Sequence, residues 1–277
     1  MRIAVIGLGL IGGSFAYAIK KHTDCEVLGF NRTARVVQEA VAAGAVDAPL
    51  TDETLPTCGL VILALTPKAV IDWVAEHADR IAPGAVVFDI CGVKRRVVEA
   101  VAPVAAAKGF VFVGGHPMAG KEVAGFANAS ASLFEKASMI LTPEAATPKD
   151  VLAKLEAFFL EIGFGRVTIS TPERHDRVIA YTSQLAHVAS SAFAKNPLSR
   201  DHEGFSAGSF RDLTRVARLN EHMWTELFAA NRDFLLEDLK LLIAELQAYR
   251  EALETGDDAR MLELLRQGRL AKEASGT

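Results

Sequence analysis

Within "FVFVGGHPMAGKE", residues 110–122, an apolar run passes into two glycines and then into His116 and Pro117. An imidazole carried to the end of a buried-type strand is placed to exchange a proton with a ligand. A second chemical pattern lies near the start, where "GLGLIGGS" supplies Gly7, Gly9 and Gly12 as G-x-G-x-x-G. The first glycine permits a tight turn, the second lets a pyrophosphate approach the backbone, and the third lets a helix lie close to a strand. Leu8, Leu10 and Ile11 fill the intervening positions and bring the helix N-terminus towards the phosphates. The pattern alone is common, but here it directly follows an apolar run and opens a helical one, the context that dinucleotide binding requires.

The next strand ends in "GFNRTAR". An Asp or Glu at that point would accept hydrogen bonds from the adenosine ribose of NAD. This chain has Asn31 and Arg32 instead, with Thr33 and Arg35 following. A neutral amide beside a guanidinium suits a 2′-phosphate, so the expected cofactor is NADP, with NAD possible.

These residues need a scaffold, and the first 170 residues provide one. Short β-branched runs at 2–6, 26–30, 60–65, 85–90, 110–114, 138–142 and 166–170 alternate with alanine-rich helical patterns. Near-continuous apolar strands between helices predict a doubly wound, Rossmann-type parallel α/β sheet covered on both faces. In such sheets ligands bind outside the carboxyl ends of the strands. There the runs deliver Gly7, Asn31, Thr66 with Pro67, Cys91 with Gly92, and His116.

After residue 170 the strand runs stop. Thr171 and Pro172 read as an N-cap and first helical position, and only helical periods follow. The predicted division is a dinucleotide-binding domain at 1–170 and an all-α domain at 171–277. One long helix is expected over 220–254, with Leu227, Phe234, Leu235, Leu241, Leu242, Leu246 and Tyr249 along a broad stripe. So wide an apolar face points to a homodimer interface, and the terminal "EASGT" reads as a frayed tail.

Half of the 277 residues are hydrophobic, so a sizeable core can be buried. A net charge of −4 gives no electrostatic reason for nucleic-acid binding, and no run is long enough to suggest a membrane span. The three cysteines, odd in number and without a CxxC, suit reduced thiols in a cytoplasm and suggest no metal site.

Taken together, "GLGLIGGS", "DICGVK", "GGHPMAGKE", "TPERHD", "SQLAH", "SFRDLTR" and the following "MW" resemble the prephenate dehydrogenase family in order and spacing across the whole chain. The family includes arogenate and cyclohexadienyl dehydrogenases and joins a nucleotide-binding domain to a helical dimerisation domain. The resemblance implies oxidative decarboxylation of prephenate to 4-hydroxyphenylpyruvate in tyrosine synthesis, with no regulatory domain appended and no chorismate mutase segment in front. It makes His116 the catalytic histidine and Arg215 the arginine that binds a carboxylate of the dianionic substrate. Arg211 falls on a family basic position, His187 on a pocket histidine, and Trp224 on a family tryptophan. Glu122 would join a charged gate, and His175 with Asp176 would hold the two domains together.

Two departures stand out. Gly92 replaces a serine that in many members bonds the catalytic histidine and the substrate hydroxyl. Gln184 and Ala186 stand where a histidine and a proline are frequent; Gln184 remains a candidate to hydrogen-bond substrate or nicotinamide. Cys91 beside Gly92 reads as a buried thiol, since the chemistry needs no covalent intermediate. Competing readings are a β-hydroxyacid dehydrogenase or imine reductase, for which Lys195 lacks the expected context, and a non-catalytic dinucleotide sensor, which would need neither His116 nor Arg215.

Overall fold

The computed structural model describes residues 1–276. Eight strands form one sheet in the order β3-β2-β1-β4-β5-β6-β7-β8. They are β1 Arg2–Ile6, β2 Glu26–Phe30, β3 Ala48–Pro49, β4 Leu60–Leu63, β5 Val86–Asp89, β6 Val111–Pro117, β7 Ser138–Pro143 and β8 Arg166–Ile169. Helices α1 Leu10–His22, α2 Ala34–Ala42, α3 Pro67–His77, α4 Arg95–Lys108 and α5 Lys149–Glu161 cover its faces. The order reverses between β1 and β4, so the crevice at the carboxyl ends of the strands opens beside Gly7.

The core divides by face. One side gathers Phe15, Phe88, Phe134, Phe159 and Phe164 beneath α1 and α5. The other packs Leu63, Val70, Trp73, Val87 and Val101 beneath α3 and α4. Strands apolar on both sides are what such a sandwich demands.

The sheet departs from the wholly parallel one that the sequence predicts. β7 runs antiparallel to β6 and β8 parallel to β7. The predicted end of the fifth run at Gly114 is also corrected. The antiparallel ladder carries β6 on to Pro117, paired with Met139, so His116 lies inside the strand opposite Ile140. The glycine pair has a steric reason: a Cβ at Gly115 would stand 2.6 Å from the Asp89 carbonyl oxygen and 2.7 Å from Met139 Cε. Two-residue β3 falls in no predicted run, being too short for a period.

Beyond the sheet lie α6 Pro172–Ile179, α7 Ala186–Ala194, α8 Gly208–Thr214, α9 Glu221–Ala230, α10 Arg232–Thr255 and α11 Asp258–Ala274. The Thr171 hydroxyl accepts from the Arg174 N–H, the expected N-cap. A π-helical turn, Ala180–Leu185, links α6 to α7. The single helix predicted over 220–254 is broken at Asn231, whose backbone (φ −128°, ψ 31°) leaves helical geometry. The stripe is divided accordingly: Leu227 and Leu235 are buried within the chain, whereas Leu241 and Leu246 are exposed. Of the predicted frayed tail, Glu273 and Ala274 continue α11, and Thr277 lies outside the described residues. Among the described residues no helix is long and apolar enough to cross a membrane.

Candidate active site

The glycine loop closes the first βα unit. Gly7 has φ +94°, a left-handed conformation that suits glycine. A Cβ at Gly12 would collide with the Gly7 carbonyl oxygen and stand 2.8 Å from the Ala64 Cβ, so only glycine lets α1 lie this close. At Gly9 the same atom would meet nothing within 4 Å. Gly9 is also the N-cap of α1 and offers no side chain to its free N–H groups. An open cradle at an uncapped helix N-terminus fits a dinucleotide pyrophosphate.

Leu8 and Leu10 are buried, so their side chains belong to the core. Asn31 Oδ1 accepts the Leu8 N–H at 3.1 Å, tying the end of β2 to the glycine loop. Arg32 and Thr33 are exposed beyond it. Thr66 and Pro67 start α3, where the Lys68 N–H donates to Glu226 Oε1 of α9 at 2.6 Å. Cys91 Sγ points to the Leu65 carbonyl oxygen at 3.3 Å, and burial pushes its thiol up.

The floor of the crevice is a chain of buried polar groups. His116 Nδ1 lies 2.9 Å from His175 Nε2, and His175 Nδ1 lies 2.7 Å from Asp176 Oδ1. His175 and Asp176 come from α6, so this chain crosses from the sheet to the helical part of the molecule. Asp176 also accepts the Lys94 and Arg95 N–H groups at 2.7 and 2.9 Å. A carboxylate from one half of the chain thus caps α4 in the other, where the helix dipole favours negative charge. Lys94 is fully buried; its ammonium pairs with Asp89 and donates to the Gly115 carbonyl oxygen at 2.6 Å.

Asn231 completes the network. Its amide donates to the Asp176 carbonyl oxygen at 2.8 Å and to Gln184 Oε1 at 2.9 Å, and its oxygen accepts from Arg95 at 2.9 Å. Arg95 further pairs with Asp233 and lies 4.2 Å over the Phe234 ring. The break between α9 and α10 is what frees Asn231 to make these bonds.

Electrostatics follow from burial. His116 keeps part of its surface open to the crevice, yet its ring sits among protein atoms that desolvate the charged form. That desolvation, with His175 and Lys94 adding to it, holds its pKa well below the ordinary histidine value. His175 is likewise lowered by burial, with the Asp176 carboxylate opposing the shift. Burial alone would raise Asp176, but the His175 hydrogen bond and the Arg95 and Lys94 N–H groups leave it below the usual carboxylate value.

The upper wall carries the cations. Arg215 pairs with Glu122, joining the short 3₁₀ turn after α8 to the loop after β6. His187 stacks on Trp224 with ring centroids 3.7 Å apart; burial lowers its pKa, the Ser183 carbonyl opposes that shift, Arg215 adds to it and Glu122 opposes it. Arg211 is exposed on α8, which ends at Thr214, so Arg211 and Arg215 do not share one continuous α-helix. Gly92 faces His116: a Cβ there would stand 3.8 Å from His116 Nε2 and 3.6 Å from Leu227 Cδ2. Gln184 is brought near but is not free. It is buried, its amide donates to the Leu227 carbonyl oxygen at 3.4 Å, and its oxygen is taken by Asn231. Sequence reasoning missed Asp89 and Asn231, because a lone polar residue in an apolar run carries no sign of its distant partners.

A doubly wound sheet with a glycine cradle and a partly buried histidine near its strand ends is the architecture of a nicotinamide-dependent dehydrogenase. The family description "Prephenate dehydrogenase, nucleotide-binding domain" matches residues 15–168, and "Prephenate dehydrogenase, dimerization domain" matches residues 171–267. A cyclohexadienyl dehydrogenase of Zymomonas mobilis is 32% identical, covering 99% of this chain and 96% of that protein. A Synechocystis arogenate dehydrogenase structure is similar at 25% identity and TM-score 0.83, covering 99% of this chain and all (100%) of the other. The fold is also shared with an Aquifex aeolicus prephenate dehydrogenase solved with hydroxyphenyl propionate and NAD+, at TM-score 0.88 and 23% identity, over 99% of this chain and 98% of that one. The chain belongs to the prephenate dehydrogenase family and is an NAD(P)-dependent oxidoreductase.

Proposed function

We propose that this protein converts prephenate to 4-hydroxyphenylpyruvate and CO₂, with NADP preferred over NAD. The observation that carries the reading is His116 Nε2, which faces the crevice beside Gly92 while Nδ1 is held by His175. A bound oxidised nicotinamide supplies the hydride acceptor. His116, kept neutral by burial, polarises the 4-hydroxyl and takes its proton as the hydride leaves carbon. Arg215 meets a substrate carboxylate once Glu122 gives way, and His187, stacked on Trp224, flanks that charge. Arg211 adds to the positive potential near the entrance. Gln184, with both ends of its amide engaged, holds α9 in place instead of contacting substrate.

Arg32, exposed at the end of β2, is the group for a 2′-phosphate, and Gly7, Gly9 and Gly12 form the pyrophosphate cradle with α1. Cys91 and Gly92 border the crevice through their backbone, as do Thr66 and Pro67. We divide the chain at residues 170 and 171. The exposed Leu241, Leu246, Leu253 and Leu262 support a homodimer through the second part. Three free cysteines support a reducing, cytoplasmic setting.

Arogenate, with an amino group in place of the side-chain keto group, is the second reading, supported by the likeness to the Synechocystis enzyme. Side-by-side kinetics with both substrates decides between them. A kcat/KM for prephenate at least tenfold above that for arogenate supports the first reading, and the reverse ratio overturns it.

A further inference from the structure

The chain of contacts His116–His175–Asp176 has a direction. Asp176 is ionised near neutrality and can only accept, so the proton between it and His175 sits on His175 Nδ1. A neutral His175 then has a bare Nε2, which must accept the bond from His116. Neutral His116 is therefore protonated at Nδ1 and bare at Nε2, the atom that faces Gly92 and the crevice. Other charged groups against this pair are Lys94 and Asp89, which neutralise each other beneath the Gly115 carbonyl. Among the described residues, the only net negative charge in direct contact with either imidazole is Asp176.

We propose that His175, backed by Asp176, is a positioning residue that fixes this tautomer of His116 and holds the substrate proton during turnover. The step rests on the dehydrogenase reading above. The 4-hydroxyl O–H breaks and its proton joins His116 Nε2, while the Nδ1 proton of His116 passes to His175 Nε2. The C4 hydride, with its electron pair, goes to the oxidised nicotinamide. A dienone is left, and loss of CO₂ returns the C–C electron pair to the ring as a phenolate. The protons then move back through the same two bonds, and the phenol forms with no net proton gained or lost. Between the two movements the positive charge rests on His175 against the Asp176 carboxylate, while His116 remains neutral. This is the nucleophile–base–orienter arrangement with an imidazole in the first position.

The test has two arms on the full chain. Imidazole ¹⁵N NMR of the wild type, without substrate, should show neutral His116 protonated at Nδ1 and bare at Nε2. A His116 protonated at Nε2 overturns the proposal, whether or not prephenate is the substrate. In the second arm, His175→Gln keeps a carbonyl able to accept from His116 Nδ1 but cannot take a proton. Its kcat should fall about 10- to 100-fold with KM within about twofold, a part of the usual acid–base contribution. The solvent-isotope proton inventory should change from two protons in flight to one. Unchanged kcat and an unchanged inventory in a folded variant overturn the proposal. Failure of the wild type to oxidise prephenate or arogenate overturns the dehydrogenase reading instead, and leaves the NMR arm to decide the tautomer.

Discussion

His116 Nδ1 on β6 and His175 Nε2 on α6 stand 2.9 Å apart, and this bond joins the sheet to the helical domain. The consequence is that the proposed catalytic geometry and the docking of the helical part on the sheet are one structure. Asp176 orients His175 and also caps α4, so moving one part disturbs the proposed base in the other.

His116→Asn should fold and bind dinucleotide normally, because the glycine cradle is built by β1 and α1. Its kcat should fall roughly 10²- to 10⁴-fold, the usual scale of general acid–base help. Cofactor titration and steady-state kinetics on one preparation separate the two effects.

Arg215→Ala should raise KM about 10-fold or more, since a charged hydrogen bond is worth about 1.5–3 kcal/mol. Glu122→Gln should lower KM, because it releases the arginine from its partner. Equal KM values in all three proteins would assign the carboxylate to another residue.

Cofactor choice should follow Arg32. Wild type is expected to show the lower KM for NADP, and Arg32→Ala should remove most of a gap of about 10- to 150-fold while leaving NAD use nearly unchanged. Asn31→Asp keeps an oxygen for the Leu8 N–H and adds the charge that repels a 2′-phosphate, so preference should move to NAD. Parallel titrations with both cofactors read this directly.

Gly92→Ser should be tolerated, since its Cβ would have ordinary contacts of 3.6 Å to Leu227 and 3.8 Å to His116. The new hydroxyl can reach the substrate oxygen, and KM should fall a few-fold for a net hydrogen bond of about 1 kcal/mol. Thermal unfolding checks the fold and kinetics check the contact.

Stability should fall on acidification. His116 and His175 have folded pKa values below the ordinary 6.5, so below that pH the unfolded chain takes up protons that the folded one refuses. Asp176, lowered from 3.8, adds a second loss as pH drops further, through its folded pKa. The melting temperature should therefore decline from pH 7 towards pH 5 and again below about pH 4, and His175→Gln should flatten the first decline. Asn231→Ala should cost about 1–3 kcal/mol at neutral pH by leaving buried partners unsatisfied.

How far the sequence disclosed all this depends on the range of each interaction. The tight glycine turn, most of the strand positions and the Thr171 cap are local patterns, legible from spacing. Strand direction is not local: β7 has the same apolar composition whichever way it runs, and its antiparallel pairing extended β6 through His116. The break at Asn231 was hidden because helical periodicity continues on both sides of it. Its cause lies in partners such as Asp176, 55 residues away. The bonds of Gln184 are illegible for the same reason, since both its partners lie on a distant segment.

Product stoichiometry measures most directly whether His116 serves an oxidative decarboxylation. Purified protein given prephenate and NADP should form reduced cofactor, CO₂ and 4-hydroxyphenylpyruvate in equal amounts, and His116→Asn should lose all three together. No cofactor reduction with prephenate or arogenate, or full turnover in the His116 variant, would contradict it.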